Sequence, residues 1–535
     1  MIRLSNIKLP LDHPEAAIEK AVLDTLGIEK ADLKDIHVFR RGYDARKKTN
    51  IWLIYTLDVD TQLNDRLLEK FADHNQVKAT PDLRYHFVAE APKTLTERPI
   101  VIGFGPCGLL AALTLAQMGY KPIVLERGKE VRERTKDTFG FWRKKELNTE
   151  SNVQFGEGGA GTFSDGKLYS QVKDPKQYGR KVLSEFVAAG APEEIMYVSK
   201  PHIGTFRLVS MVEQMRAKIV ELGGEIRFSS KVDDVHLEDG QITGLTLSTG
   251  EQLHSKHIAL AIGHSARDTF EMLFNKGVYI EAKPFSVGFR IEHEQSMIDK
   301  ARFGPNAGNK ILGAADYKLV HHCKNGRSVY SFCMCPGGTV VAATSEEKRV
   351  VTNGMSQYSR NERNANSAVV VGIDPNDYPG GPLAGIEFQR KLESHAYVMG
   401  GENYDAPAQR VGDFLKNKPS TELGQVEPSF KPGIKLTNLA DALPDFCIEA
   451  IREAIPAFNK KIKGFALDDA LLTGVETRTS APICIKRNDQ YQSLNTQGLF
   501  PAGEGAGYAG GIMSAAIDGI KIAEAMALSI NASSK

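Results

Sequence analysis

The sequence has few cysteines, no long apolar run and almost no net charge. Its 535 residues include only six Cys, too few for a disulfide scaffold and typical of a reducing compartment, so we expect a cytoplasmic protein. A balance of 67 Lys and Arg against 66 Asp and Glu gives no general attraction for nucleic acid or an anionic membrane. No stretch approaches the roughly 20 apolar residues that cross a bilayer, and the N-terminus lacks the apolar core of a signal peptide.

The chain is long enough for two or three domains, and its hydrophobic patterns divide it into four segments. Residues 1–95 contain predicted strands at 2–9, 35–41, 51–58 and 84–88, with helices at 15–26 and 64–72. This βαββαβ order is typical of a ferredoxin-like α+β domain. Strand and helix patterns of an α/β domain follow over 96–268 and return at 482–535, with a β-meander near 231–260. The less regular stretch 269–481 is predicted to be an inserted α+β substrate domain.

Glycine is frequent, and its clustering indicates function. Gly103, Gly105 and Gly108 form G-x-G-x-x-G between a strand and a helix. In this arrangement the glycines permit a tight turn, the approach of a pyrophosphate and close helix packing. Glu126 ends the next strand, where a carboxylate accepts hydrogen bonds from the ribose hydroxyls of an adenosine. Because that charge repels a 2′-phosphate, FAD or NAD is favoured over NADP. The alternative is a glycine turn in a βαβ unit that binds nothing.

The C-terminal segment distinguishes FAD from NAD. Glu504 follows a strand, and Gly511 and Ile512 open the closing helix. In two-part flavin folds such an acid meets the ribitol or pyrophosphate, and a helix N-terminus faces the flavin's C2 carbonyl. NAD domains have no such return segment. The pattern therefore predicts noncovalent FAD in a discontinuous, Rossmann-like FAD-binding domain.

These motifs, together with ALAIG at 259–263, resemble the glutathione-reductase-like FAD superfamily, with Ile262 at a position where the superfamily has Thr. The sequence more closely resembles a bacterial family of FAD-dependent dehydrogenases with a small N-terminal domain. The matching segments are 44–48, 153–168, 283–293, 330–338, 364–368 and 474–482. The resemblance implies FAD binding and an oxidoreductase, and it leaves the substrate open.

A second glycine-rich segment, 155–163, is suited to placing backbone amides against phosphate or the flavin's edge. Lys167 beyond it could add a positive charge there or be a solvated side chain. The residues expected to contact FAD are Gly103, Gly105, Pro106, Cys107, Gly108, Glu126, Arg127, Gly158, Gly159, Ala160, Gly161, Thr162, Lys167, Val232, Ala261, Gly263, Gly503, Glu504, Gly511 and Ile512.

Candidate catalytic residues come from the insertion. Cys333 and Cys335 flank one residue on a predicted strand, so their side chains should share a face, either as reactive thiols or as inert core residues. Arg478 could hold an anionic substrate or the flavin N1 edge, as could Arg290; the alternative for each is a structural ion pair, with Glu476 or Glu292.

No metal is predicted. His321, His322 and Cys323 are near one another in sequence, but the second ligand pair of a zinc site is missing.

The function predicted from these features is transfer of a hydride or electron pair between FAD and a small organic substrate. Only one strand-glycine-helix fingerprint occurs, so a nicotinamide donor would bind transiently. One alternative is an RNA-modifying or RNA-associated flavoprotein that uses the basic run 40–48, although the charge balance makes nucleic acid an unfavoured partner. Another is a sensor that holds FAD without turnover.

Overall fold

The computed structural model describes residues 1–533; positions 534 and 535 of the predicted return segment lie outside them. The described chain is mixed α/β with several sheets, as the sequence predicts. Short 3-10 helices lie at Lys30–Asp32, Ala160–Phe163, Glu193–Met196, Gly304–Asn306, Pro375–Asp377 and Leu439–Asp441.

The N-terminal unit is an antiparallel sheet with two helices. Its elements are β1 (Ile2–Pro10), α1 (Ala16–Leu26), β2 (Leu33–Asp44), β3 (Trp52–Thr61), α2 (Asn64–Lys70) and β4 (Val77–Ala79), with the strands ordered β2-β3-β1-β4. The last strand predicted at 84–88 is wrong, because β4 at the sheet edge pairs with β1 instead. In the 84–88 segment the Tyr85 hydroxyl donates to Glu524, near the C-terminus, at 2.9 Å.

The next region builds a parallel sheet with helices against it. Its elements are β5 (Ile100–Ile102), α3 (Pro106–Gln117), β6 (Ile123–Leu125), α4 (Val131–Lys144), α5 (Tyr178–Ala188), α6 (Thr205–Glu221), β7 (Glu225–Arg227), β8 (Val232–Glu238), β9 (Gln241–Leu247), β10 (Gln252–His254) and β11 (Ile258–Leu260). Strands β8, β9 and β10 form the expected antiparallel meander. Strands β5, β6 and β11 are short, aliphatic and largely buried, as parallel strands covered on both faces are.

The insertion contains α7 (Arg267–Asn275), β12 (Ile280–Ala282), β13 (Phe285–Glu294), α8 (Gln295–Phe303), β14 (Val320–His322), β15 (Ser328–Cys335), β16 (Gly338–Ala342), β17 (Thr352–Ser356), β18 (Asn364–Ile373), α9 (Ala384–Met399), β19 (Ala406–Arg410), α10 (Val411–Leu415), β20 (Ile434–Leu436), α11 (Asp445–Lys461), β21 (Leu471–Glu476) and β22 (Ile483–Ile485). Its main sheet runs β14-β15-β18-β13-β21-β19-β20. Strands β12 and β22 pair antiparallel, which brings the two ends of this region together.

The chain then returns to the parallel sheet as β23 (Leu499–Pro501) and closes with α12 (Ile512–Ser533), so the sheet order is β23-β11-β5-β6-β7. Helix α12 packs on α3 at very close range: a Cβ on Gly519 would lie 2.2 Å from the carbonyl oxygen of Cys107. Among residues 1–533, no helix combines the length and hydropathy needed to span a membrane.

Candidate flavin site

A cavity of about 340 Å³ lies where the parallel sheet faces the inserted sheet. One wall consists of the β5–α3 turn, the 154–167 loop and the start of α12. The opposite wall comes from β15, β17 and the end of β21. Eighteen of the predicted site residues line it: Gly103, Gly105, Pro106, Cys107, Glu126, Arg127, Gly159, Ala160, Gly161, Lys167, Val232, Ala261, Gly263, Glu504, Gly511, Ile512, Cys333 and Arg478.

Five predicted residues do not line the cavity but lie next to residues that do: Gly108, Gly158, Thr162, Gly503 and Cys335. Gly108 allows α3 to approach the turn, since a Cβ there would lie 2.0 Å from the carbonyl oxygen of Gly103. A Cβ on Gly503 would lie 2.9 Å from Cβ of Cys107. These glycines are therefore packing positions next to the cavity.

The glycine turn itself needs residues without side chains. Gly103 has φ +95°, and a Cβ there would lie 2.2 Å from the carbonyl oxygen of Ala261. A Cβ on Gly105 would lie 3.5 Å from Cα of Gly159 in the facing loop. A narrow groove lined by backbone therefore runs to the N-terminus of α3, whose first N–H groups have no acceptor within the helix. Such a groove suits an anion such as a pyrophosphate.

Glu126 is buried at the end of β6 and binds three backbone N–H groups. Its carboxylate accepts from Phe104, Gly128 and Gly156, each at 2.9 Å. Its carboxylate therefore connects three segments by hydrogen bonds: the glycine turn, the end of its own strand and the 154–167 loop. A carboxylate has about four lone-pair sites, so one remains for a further donor.

Arg134 is a structural residue of the site that the sequence pattern did not indicate. It is fully buried on α4 and donates to the carbonyl oxygens of Asn152, Val153 and Glu157 at 2.8, 2.7 and 2.6 Å. Burial lowers its pKa to about 10. An arginine on a helix gives no local signal that it will organise a loop about 20 residues later.

Arg127 is already paired. It forms ion pairs with Glu150 and Asp268, both at 2.8 Å, and lies over the ring of Phe155. This fixes the guanidinium at the cavity edge beside Glu126.

The N-terminus of the 22-residue helix α12 meets the second glycine loop. A Cβ on Gly161 would lie 2.9 Å from Cγ1 of Ile512, so the loop and the helix start are in direct contact. Glu504 also faces this part of the cavity, and burial raises its pKa to about 7, against the opposing effect of nearby Lys283.

Cys333 lines the opposite wall near the end of β15. It has φ +44° at a bulge that interrupts the pairing of β15 with β18, so the regular alternation predicted for the C-x-C pair is broken there. The two sulfurs are nevertheless neighbours. The Cys335 thiol, which donates to the backbone carbonyl oxygen of Cys333 at 3.3 Å, lowers the pKa of the Cys333 thiol. Together with the charges of Arg290 and Lys167, and against the effect of burial, it brings that pKa to about 5. Cys335 itself is fully buried, and its pKa is raised.

Lys167 extends from the 154–167 loop to β15, where its ammonium donates to the carbonyl oxygen of Met334. Burial opposes its charge, but Asp165 and the two cysteine sulfurs raise its pKa, so it stays cationic. An ammonium has three N–H donors, and the bond to Met334 uses one of them. The cavity therefore has a cation with spare donors near Cys333, the thiol whose pKa is lowered.

The two candidate arginines have other partners than the sequence suggested. Arg290 is paired with Glu476 at 2.9 Å and donates to the carbonyl oxygen of Cys333 at 2.8 Å, so the alternative pair with Glu292 is wrong. Arg478 is paired with Glu393 at 3.0 Å, so its alternative pair with Glu476 is wrong as well. Its other donors bond to Ser265 and Ser345, which leaves it little capacity for a substrate anion.

Comparison with known proteins relates the chain to FAD-dependent proteins. Residues 284–479 match the family described as FAD-dependent protein, C-terminal domain-like, and residues 1–60 match a domain of unknown function. An uncharacterized protein of Clostridium beijerinckii is 48% identical over 526 residues, which cover 98% of each chain.

Among solved structures, the chain is similar to 3-ketosteroid-delta4-(5alpha)-dehydrogenase from Rhodococcus jostii RHA1, at 12% identity and a TM-score of 0.36, over 82% of this chain and 99% of that one. It is also similar to CtdE in complex with FAD, at 12% identity and a TM-score of 0.31, over 80% and 82% of the two chains. At such low TM-scores neither likeness carries an argument about function.

The glycine groove, the two helix N-termini and the family match at 284–479 define the class: this is an FAD-dependent protein, and the cofactor predicted from the sequence is confirmed. More narrowly, the chain belongs to the family of the Clostridium beijerinckii protein, with which it aligns over nearly its whole length.

Proposed function

We propose that the protein is a dehydrogenase-like oxidoreductase that moves a hydride or an electron pair between noncovalent FAD and a small organic substrate. The observation that supports this most directly is the shared cavity, since the glycine groove and the Cys333–Lys167 pair line the same space. When bound, FAD supplies the redox chemistry, and the protein binds and orients the reactants.

We assign the cofactor's two halves to two parts of one wall. The turn at Gly103 and Gly105, with Glu126, would hold the adenosine and pyrophosphate. The loop at Gly159–Gly161 and the α12 N-terminus would hold the flavin, with Glu504 near the ribitol or pyrophosphate. In this proposal residues 96–268 and 482–535 form a glutathione-reductase-like FAD domain, and residues 1–95 a ferredoxin-like one.

We assign the opposite wall to substrate binding. Lys167 extends to this wall from the 154–167 loop and keeps donors for a carbonyl or carboxylate oxygen, and the Cys333 thiol lies near it. Phe332 and Val351 supply apolar surface on the same wall. We assign Cys333 as the catalytic thiol and Cys335 as a positioning residue, because Cys335 reaches the cavity only through its hydrogen bond to Cys333. The polar and apolar parts together fit a small polar organic molecule.

The test uses the purified yellow protein. Its flavin is reduced with dithionite without oxygen, and reoxidation is followed after adding quinones, enones, 2-oxo acids or disulfides one class at a time. With the substrate class found, Cys333→Ser should lower turnover at least about 100-fold while FAD stays bound. Cys335→Ala removes the hydrogen-bond donor next to Cys333 and should shift the pH profile of turnover toward higher pH. Cys447→Ser, a buried thiol on α11, is the matched control and should change neither.

Two results would contradict the proposal. Turnover that is unchanged in Cys333→Ser would make the thiol a core residue. A protein that binds FAD but exchanges electrons with none of the four classes, nor with NADH or NADPH, would favour the sensor alternative.

A further inference from the structure

A cluster of three potential metal ligands lies outside the cavity, where the β14–β15 hairpin meets α11. His321 and Cys323 come from the hairpin, and Glu453 comes from the helix. One ligand atom of each, a ring nitrogen, Sγ and a carboxylate oxygen, lies within 4.8 Å of the other two. No other such group occurs among residues 1–533.

We propose that His321, Cys323 and Glu453 bind one divalent transition-metal ion, and that zinc is the best match. Imidazole nitrogen, thiolate sulfur and carboxylate oxygen are the three ligand types that zinc accepts in proteins, whereas calcium and magnesium prefer oxygen alone. Three protein ligands leave one tetrahedral position for water. The proposal is independent of the function proposed for the cavity.

The local sequence explains two of the three ligands. His321 lies on the edge strand β14 and Cys323 is the first residue after it, two positions on, so continued alternation puts the two side chains on one face. The third ligand could not be read from the sequence, because Glu453 is 130 positions from Cys323. Helix α11 brings it there by packing its buried face, which includes Ile451 and Ala454, against the inserted sheet.

The present contacts leave the cluster able to close around an ion. Nε2 of His321 lies 2.9 Å from Oε1 of Glu453. The Cys323 thiol donates to the carbonyl oxygen of Ala450 at 3.5 Å, a hydrogen bond that it would give up on binding the metal as a thiolate. Zinc bonds of about 2.0–2.3 Å require ligand atoms to be roughly 3.3–3.8 Å apart, so the widest separation must shrink by about 1 Å. The side chains of His321 and Glu453 are 28% and 31% exposed, which leaves them room to rotate.

A further contact would orient the carboxylate. The backbone N–H of Lys324 donates to Oε1 and Oε2 of Glu453, at 3.3 and 3.1 Å. Hydrogen bonds of this kind to a ligating group fix its direction and strengthen metal binding. The bound ion would join the edge hairpin to α11. Strand β15 begins at this hairpin and ends at Cys335. The ion would therefore secure the first end of β15, and the C-x-C pair lies at its other end.

The test uses the full-length FAD-loaded protein, stripped of metal with a chelator and titrated with Zn²⁺ against a chromogenic competitor. We expect one zinc per chain. Cys323→Ser and Glu453→Gln should each weaken binding at least about 100-fold, more than loss of an outer hydrogen-bond partner does. His322→Ala is the matched control, because this neighbouring exposed side chain bonds only to Ser328 and lies outside the cluster. Co²⁺ should give a thiolate-to-metal band that Cys323→Ser abolishes.

The Cys333/Cys335 double serine variant separates this site from the cavity thiols and should keep the zinc. Three results would overturn the proposal: no zinc binding by the wild-type protein, equal affinity in Cys323→Ser, or binding lost only in the double variant. FAD content and far-UV circular dichroism show that each variant is folded. If Cys323→Ser does not fold, Glu453→Gln, which keeps the size of the side chain, provides the same comparison.

Discussion

The Glu126 carboxylate offers the sharpest test of how the site is built. It is buried and accepts three backbone N–H groups, from Phe104, Gly128 and Gly156. Glu126→Ala would leave all three without an acceptor. Each buried donor left unsatisfied costs about 1–3 kcal/mol, or about 3–9 kcal/mol together, against a total stability of about 5–15 kcal/mol for a typical domain. We therefore expect the Ala variant to fail to fold stably.

Glu126→Gln is the informative change. The amide oxygen can keep the bonds to Gly128 and Gly156, but its NH₂ group faces the Phe104 N–H and cannot accept. If the remaining lone pair of Glu126 binds the adenosine ribose, FAD also loses a bond to a charged group, about 1.5–3 kcal/mol. FAD affinity should then fall roughly tenfold to 150-fold.

Titration of the apoprotein, followed by flavin fluorescence, measures this affinity, and thermal unfolding of the apoprotein measures the structural effect separately. FMN lacks the adenosine, so FMN affinity should not change. Glu150→Gln is the matched control, since Glu150 is a half-exposed partner of Arg127 nearby. Wild-type FAD affinity in Glu126→Gln would refute the placement of the adenosine, and equal losses for FAD and FMN would show a general weakening of the loop.

Three further outcomes follow from the same contacts. Alkylation of Cys333 by iodoacetamide should slow only as the pH falls through about 5, because the thiolate persists above that pH. Burial raises the pKa of Cys447 to about 12, so Cys447 should stay unreactive at neutral pH. An alkylation rate for Cys333 that rises only near pH 8.5 would contradict this prediction. Gly156→Ala should lower FAD content, since φ is +123° and the new Cβ would lie 2.3 Å from Cδ of Arg134, with Gly140→Ala as the unhindered control. Deletion of residues 1–79 should lower the unfolding temperature but keep the yellow colour, because the predicted FAD contacts begin at Gly103; a folded but colourless product would contradict it.

The parts of the site that sequence predicted are those fixed by local sterics. A G-x-G-x-x-G turn needs its glycines because the backbone of the same βα unit and of its neighbouring strand fills the space of a Cβ. The closing helix is predictable for the same reason, since its strand, glycines and helix follow one another within about 20 residues of sequence.

The parts that were missed depend on contacts between distant segments. Arg290 pairs with Glu476 across 186 positions, and nothing next to either residue selects that partner over Glu292. The strand at 84–88 was predicted from apolar residues, of which Tyr85 instead packs near α12. The pairing of β4 with β1 involves only three residues, too few for a periodic pattern.

The chemistry proposed for the cavity depends on whether its two walls keep their relative position. Three of the polar contacts between the two parts of the chain lie near Lys167. Lys167 bonds the carbonyl oxygen of Met334, Arg360 binds Asp165 at 2.9 and 2.5 Å, and Nε2 of His202 contacts the carbonyl oxygen of Tyr358 at 2.9 Å. The first of these contacts also supplies the charge that helps to hold Cys333 as a thiolate. Separation of the walls would remove Lys167 from Cys333 and so raise the thiol's pKa, whereas the larger effects of Cys335 and Arg290, which belong to the same sheet as Cys333, would remain.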